Sequence, residues 1–236
     1  MKLTVRDAAK LLQVSEKTVY RWIGQRIVPV YLINGQYRFN RAELLEWATS
    51  RQIKVSVDIL AEPESQEDPQ PGLVEAMESG GIFYRVEGQD RESTLRAVVN
   101  LMRLPDEVDR DFLLRVLVTR EGLGSTGIGN GIAIPHVRNP IVLHVPRPSV
   151  TLCFLERAVE FGALDGEPVK VLFTVISPTL RGHLHLMSRL AFALGDPEFK
   201  NALLREASRE EVLREARRVE AAFPAPVPVP PAAEVN

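Results

Sequence analysis

Gly127-Ile128-Gly129-Asn130-Gly131-Ile132-Ala133-Ile134-Pro135-His136 is the stretch from which the rest of the chain is best read. Three glycines in five positions break regular structure and let backbone approach a bound group closely. The apolar run Ile132-Ala133-Ile134 follows, and Pro135 then stops it, fixing φ near −65° and removing a donor. The pattern predicts a histidine presented at the end of a short strand, beside a loop rich in N–H groups. That is a suitable setting for an imidazole that receives a phosphoryl group.

The surrounding chain has 236 residues, enough for one large domain or two smaller ones. Hydrophobic residues at 45% and charged residues at 25% are ordinary for a water-soluble globular protein, and the net charge of −2 gives no global pull toward nucleic acid. The single cysteine, Cys153, excludes an internal disulfide framework. It lies in the apolar run Val150–Leu155 and reads as a buried strand thiol. No apolar stretch approaches the ~20 residues that span a bilayer, and the N-terminus lacks the apolar core of a signal peptide. The expectation is a cytoplasmic protein without membrane insertion.

Composition divides the chain into segments. Residues 1–50 carry Lys2, Arg6, Lys10, Lys17, Arg21, Arg26, Arg38 and Arg41 against Asp7, Glu16, Glu43 and Glu46, so a basic module hides inside a near-neutral total. Residues 61–72 hold three prolines and four acids with no large apolar side chain, the composition of an extended linker. The expected division is a first domain over 1–52, an acidic Pro-rich linker over 53–78, a second domain over 79–222 and a disordered Pro-rich tail over 223–236. In the second domain, 90–102 and 107–121 show helical spacing, and 150–155 and 169–176 read as buried strands. Helical periodicity returns over 182–194 and 197–222, with Asp196 and Ser208 as N-caps. Strands interleaved with helices predict an α/β or α+β domain around a mixed sheet with flanking helices.

In the first segment, Thr4 caps a helix carrying Val5, Ala8, Ala9, Leu11 and Leu12. Gln13-Val14 makes a turn, and Ser15 caps a second helix from Glu16 to Gly24. Two short helices joined by a tight turn form a helix-turn-helix. Lys17, Thr18, Tyr20 and Arg21 are left outward as candidate DNA contacts. Asn34-Gly35 between two β-rich runs predicts a hairpin wing that carries Arg38 toward the DNA backbone. Asn40 then caps a last helix, Arg41 to Thr49. The order of elements, with Thr4–Ala9, Val14–Trp22 and Tyr37–Phe39, resembles the winged helix-turn-helix modules of the excisionase and MerR type. One such module makes few base contacts, so useful DNA affinity calls for a homodimer or a second protein.

At the histidine, phosphoryl transfer needs a neutral nucleophile near pH 7, cationic groups for the spread charge, and donors near the oxygens. Arg120 precedes the glycine-rich segment and suits phosphate, although an ordinary cation at a helix C-terminus fits the same position. His183 opens a later helix, where it could bond phosphoryl oxygens or orient the acceptor ring. His185, two residues on, points to another face. Ser125, Thr126 and Asn130 are candidate phosphate donors, but as residue types they suit turn formation better. The four histidines, His136, His144, His183 and His185, provide no ligand pair on one helical face and have no thiolate support, so neither a metal nor a cofactor is expected.

The run 127–136, with Arg120-Glu121, Leu155-Glu156 and His183–Ala191, resembles the enzyme IIA domain of the fructose/mannitol class of the bacterial phosphotransferase system, including its nitrogen-regulatory branch. The resemblance covers Gly81 to Val219. It implies that His136 accepts phosphate from the phosphocarrier HPr or a nitrogen-branch paralogue, with Arg120 and His183 as the supporting pair. The pair Val137-Arg138 departs from the small residue that often follows the phosphorylated histidine in this family. Joined to a DNA-reading module, such a domain suggests a phosphohistidine phosphotransferase with a regulatory rather than metabolic task, in which phosphorylation alters DNA binding or a partner regulator. The alternative is a transport relay that passes phosphate to a separate IIB protein, with the N-terminal module only docking it.

Overall fold

Helix and strand signals placed by the sequence recur in the structure, a computed structural model that describes residues 2–33, 35–51, 53, 55, 70–137 and 145–223. The linker reading over 56–69, the tail over 224–236, Asn34, Arg138 and His144 lie outside them.

At the N-terminus, Thr4 accepts from the Asp7 N–H and Asp7 returns a carboxylate oxygen to the Thr4 N–H, a reciprocal capping box that starts α1 (Val5–Leu11). Gln13, at φ 51°, turns the chain. Ser15 then caps α2 (Glu16–Gly24) by accepting from the Thr18 N–H. The wing is β2 (Tyr31–Ile33) against β3 (Gln36–Asn40), antiparallel with Leu32 opposite Tyr37, and Gly35 sits at φ 73° in its turn. The structure adds β1 (Lys2–Leu3), which pairs with β3 and completes a three-stranded sheet in the order β1-β3-β2. Two residues are too few for a periodic signal. Helix α3 (Arg41–Ser50) closes the module, burying Leu44, Leu45 and Ala48 against Leu3, Leu11, Val19 and Phe39. Trp22 of α2 meets Trp47 of α3 edge to face at 5.2 Å, and the Trp47 indole N–H donates to the Ile27 carbonyl at 2.6 Å.

The second unit begins earlier than composition suggests. Residues 73–78, assigned to the linker by the 53–78 reading, belong to helix α4 (Leu73–Gly80), whose Leu73, Val74, Ala76 and Met77 enter the main core. This corrects the linker boundary. The proline-rich run ends at Pro71, and the Glu220 carboxylate caps α4 from the far end of the chain by accepting from the N–H groups of Leu73 and Val74. Next come β4 (Ile82–Val86), also unforeseen, then α5 (Arg91–Leu101) and α6 (Arg110–Gly122), capped by Asp90 and Asp109. The glycine-rich stretch forms β5 (Gly127–Gly129) and β6 (Ile132–Ala133). Long strands β7 (Ser149–Val159) and β8 (Val169–Ile176) follow, then α7 (Leu180–Leu194), α8 (Pro197–Leu204) and α9 (Arg209–Ala221). Asp196 and Ser208 cap α8 and α9 as their sequence positions suggest.

The sheet runs β4-β7-β8-β6-β5, with β4 parallel to β7, β7 antiparallel to β8, β8 parallel to β6 and β6 antiparallel to β5. Alternation along each strand sorts side chains to two faces. Val150, Leu152, Phe154, Val171, Phe173 and Val175 pack toward α4 and α7–α9, whereas Cys153, Leu155 and Leu172 pack toward α5 and α6. The mixed sheet is therefore covered on both faces, as its apolar strands require. Cys153 is fully buried, and burial pushes its thiol up to about 12, so it is an inert core side chain.

Candidate functional site

His136 is placed by two constraints from the chain around it. Gly129, Asn130 and Gly131 sit at φ 89°, 55° and 70°, so Asn130-Gly131 makes a tight left-handed turn between β5 and β6. The Asn130 N–H donates to the Asp165 carboxylate at 2.7 Å, which pins the turn to the β7–β8 loop. Past β6, the Val175 N–H of β8 donates to the Pro135 carbonyl at 3.1 Å, and His136 itself forms an isolated parallel bridge with Val175. The apolar run thus delivers its histidine onto the edge of the central strand β8.

The ring is oriented by its own backbone. Nδ1 lies 2.8 Å from the Ile134 carbonyl oxygen. A carbonyl only accepts, so Nδ1 carries the proton and the lone pair resides on Nε2. This is the tautomer that a nucleophilic Nε2 requires. His183, in the first turns of α7, meets it with ring centroids 5.3 Å apart and planes inclined by 38°. Both side chains are buried, at 3% and 5% exposure. Burial first, then the charge of a protonated His136, pull the His183 pKa down to about 3, so its imidazole is neutral at pH 7. Thr179 caps α7 by accepting from the Gly182 N–H at 3.1 Å. Gly182 allows close approach here: a Cβ would stand 2.6 Å from the Gln70 amide oxygen and 2.7 Å from the Ser177 hydroxyl. His185 turns elsewhere, as its spacing predicts, and its Nε2 accepts from the Arg189 guanidinium at 2.8 Å.

The other candidates belong to the adjoining loop. Arg120 is buried in the last turn of α6, and its Nη1 donates to the Gly124 carbonyl at 2.8 Å. Thr126 gives both donors to the buried Glu121 carboxylate, the N–H at 3.0 Å and the hydroxyl at 2.5 Å. The Ser125 hydroxyl accepts from the Gly127 N–H at 3.0 Å. In the structure Ser125, Thr126 and Asn130 therefore shape the loop, the role their residue types suit better than phosphate binding. The sequence reading gave Glu121 no role. Its signal was a carboxylate at a helix end directly before a Gly/Ser/Thr loop, where buried N–H groups need an acceptor.

In the N-terminal module, Lys17, Tyr20 and Arg21 stand exposed along α2, and Tyr20 reaches Tyr37 of the wing edge to face at 6.3 Å. Thr18 is half-buried, and its hydroxyl lies 3.0 Å from that of Ser15 in the cap. Arg38 lies along its own hairpin, donating to the Tyr37 carbonyl at 3.0 Å and to the Gln36 side chain. Among the described residues no His/Cys/Asp/Glu cluster is arranged to hold a metal, and no helix is long and apolar enough to cross a membrane.

Comparison with known proteins places these features. Residues 75–217 match the family described as phosphoenolpyruvate-dependent sugar phosphotransferase system, EIIA 2, and residues 3–52 match a helix-turn-helix domain family. The chain is 36% identical over 145 residues to a nitrogen regulatory protein of Pseudomonas aeruginosa, covering 60% of this chain and 91% of that one. It is 35% identical over 106 residues to a fructose-specific EIIA component of Haloferax volcanii, covering 44% of this chain and 67% of that one. The crystal structure of the nitrogen regulatory protein IIA-Ntr from Neisseria meningitidis superposes with a TM-score of 0.50 at 28% identity, covering 57% of this chain and 92% of that one.

Proposed function

The chain belongs to the EIIA 2 family of the phosphoenolpyruvate-dependent sugar phosphotransferase system, and on that premise we propose that it accepts a phosphoryl group on Nε2 of His136. The observation that carries this reading is the hydrogen bond from Nδ1 to the Ile134 carbonyl, which leaves the lone pair on the opposite nitrogen. The donor is a phosphohistidine of an HPr-type carrier or a nitrogen-branch paralogue. The Nε2 lone pair attacks phosphorus in line as the donor N–P bond breaks, and that electron pair returns to the donor ring. The Ile134 carbonyl then faces an Nδ1–H made more acidic by phosphorylation, and the hydrogen bond strengthens as charge develops. A neutral His183 can donate one N–H to a phosphoryl oxygen without adding a buried charge. Arg120 supports the loop beneath the site in this reading.

The module over 3–52 fits a DNA-binding role, with α2 as the recognition helix. The whole then reads as a regulator whose phosphorylation state is coupled to DNA or partner binding. The relatives named nitrogen regulatory proteins support a regulatory task over a transport relay. Two measurements test the reading. Labelled phosphate from phosphoenolpyruvate, enzyme I and the carrier should appear on the chain and be absent from His136→Asn. A chase with IIB proteins should leave the label in place, and rapid loss to one of them would replace the regulator with the transport relay.

A further inference from the structure

The last helix of the winged module does not stand apart from the phosphotransfer domain. Helix α3 packs against β5, the first strand of the glycine-rich hairpin, and against α7, the helix that carries His183. Leu184, the residue after His183, joins the apolar cluster of the N-terminal module rather than the core of its own domain. Meanwhile Lys17, Tyr20 and Arg21 on α2 remain open, with Tyr20 at 52% exposure. The module thus docks through its α3 side and keeps its α2 face outward.

We propose that α3 of the winged module is a gate over the phosphoryl-acceptor site, held shut at Leu184, so that module and phosphodonor compete for one surface. This rests on His136 being the acceptor, although the packing that defines the gate is independent of that chemistry. A phosphohistidine on another protein must come within bonding reach of Nε2, and a ring at 3% exposure admits no such approach. The gate must therefore lift before transfer. A phosphoryl group on Nε2 puts its negative charge and bulk under the closed contact, which disfavours closure, so phosphorylation draws the population toward the released module. Release changes how the module is tethered and presented rather than uncovering α2, which is open in both states. DNA binding by α2 and closure of the gate are accordingly compatible, and the phosphorylation signal acts on orientation or on pairing of modules.

The test uses the full chain with Leu184→Glu and, as the milder change, Leu184→Ala, each checked for native circular dichroism. Carbethoxylation of His136 by diethyl pyrocarbonate, mapped by peptide mass spectrometry, reads ring access without any donor. Both variants should modify His136 about tenfold faster than the wild type, the factor set by a closed form that outnumbers the open one by that much. Phosphorylation by the carrier should accelerate in parallel. Equal carbethoxylation in wild type and in either folded variant overturns the gate, whatever the phosphorylation result. Faster carbethoxylation with no phosphorylation of any form supports the gate and removes the acceptor reading, so the two failures are told apart.

Discussion

One hydrogen bond does most to define His136, and one burial does most to define His183. Nδ1 of His136 is occupied by the Ile134 carbonyl two residues back, so the lone pair stands on Nε2 before any partner arrives. Replacing His136 by Asn should abolish an acid-labile phosphate while leaving the far-ultraviolet spectrum unchanged. His183 has its pKa pulled from 6.5 to about 3. Above 6.5 the ring is neutral in folded and unfolded chains and adds no pH dependence. Between 6.5 and about 3 the unfolded chain binds a proton that the folded chain refuses, so stability falls as pH falls. The slope from this ring approaches about 1.4 kcal/mol per pH unit. His185, pulled to about 4 chiefly by burial, adds a slope of the same sign. Urea unfolding between pH 7 and pH 5 should therefore show a shallower decline in His183→Gln than in the wild type. The same substitution should slow phosphoryl transfer by about a hundredfold, a loss typical of removing one transition-state donor.

At the scale of elements, the loop from Arg120 to Asn130 behaves as one hydrogen-bonded unit. Thr126→Val removes the hydroxyl donor to a buried carboxylate and should cost about 1–3 kcal/mol in thermal or urea unfolding. A change below the error of either method would mean that Glu121 does not hold the loop. Much of this level was legible in the sequence. Caps at Thr4, Ser15, Asp196 and Ser208 announced their helices because a short polar side chain before an apolar period has few other uses. The strand over 169–176 was visible as an unbroken β-rich run. Other elements were hidden for physical reasons. Helix α4 has no side-chain cap of its own at Gly72 and borrows one from Glu220, at the other end of the domain. Strand β4, with Phe83 and Tyr84 beside Arg85, lacks clean alternation. The β5–β6 hairpin carries the same Asn-Gly dipeptide as the wing, yet its strands are so short that the glycines read only as a loop. The pair His136 and His183 was legible. Their approach to 5.3 Å depends on α7 crossing the end of β8, which no local pattern encodes.

Over the whole molecule, a basic helix-turn-helix module meets the EIIA 2 domain at α3. If the module binds DNA through α2, Lys17→Ala and Arg21→Ala should each weaken binding across sequences. Each loss of a phosphate contact should also reduce the slope of log affinity against log salt by about one. Unchanged salt dependence in the double variant would argue for a protein-docking role. In the proposed function the signal begins at one imidazole, His136. The most direct measurement is incubation of the full chain with phosphoenolpyruvate, enzyme I and each available carrier, followed by mass spectrometric mapping of the phosphorylated residue. A single acid-labile phosphate on His136, bonded to Nε2, is the predicted result. An unmodified His136 in the same mixture that labels an established IIA protein would contradict it.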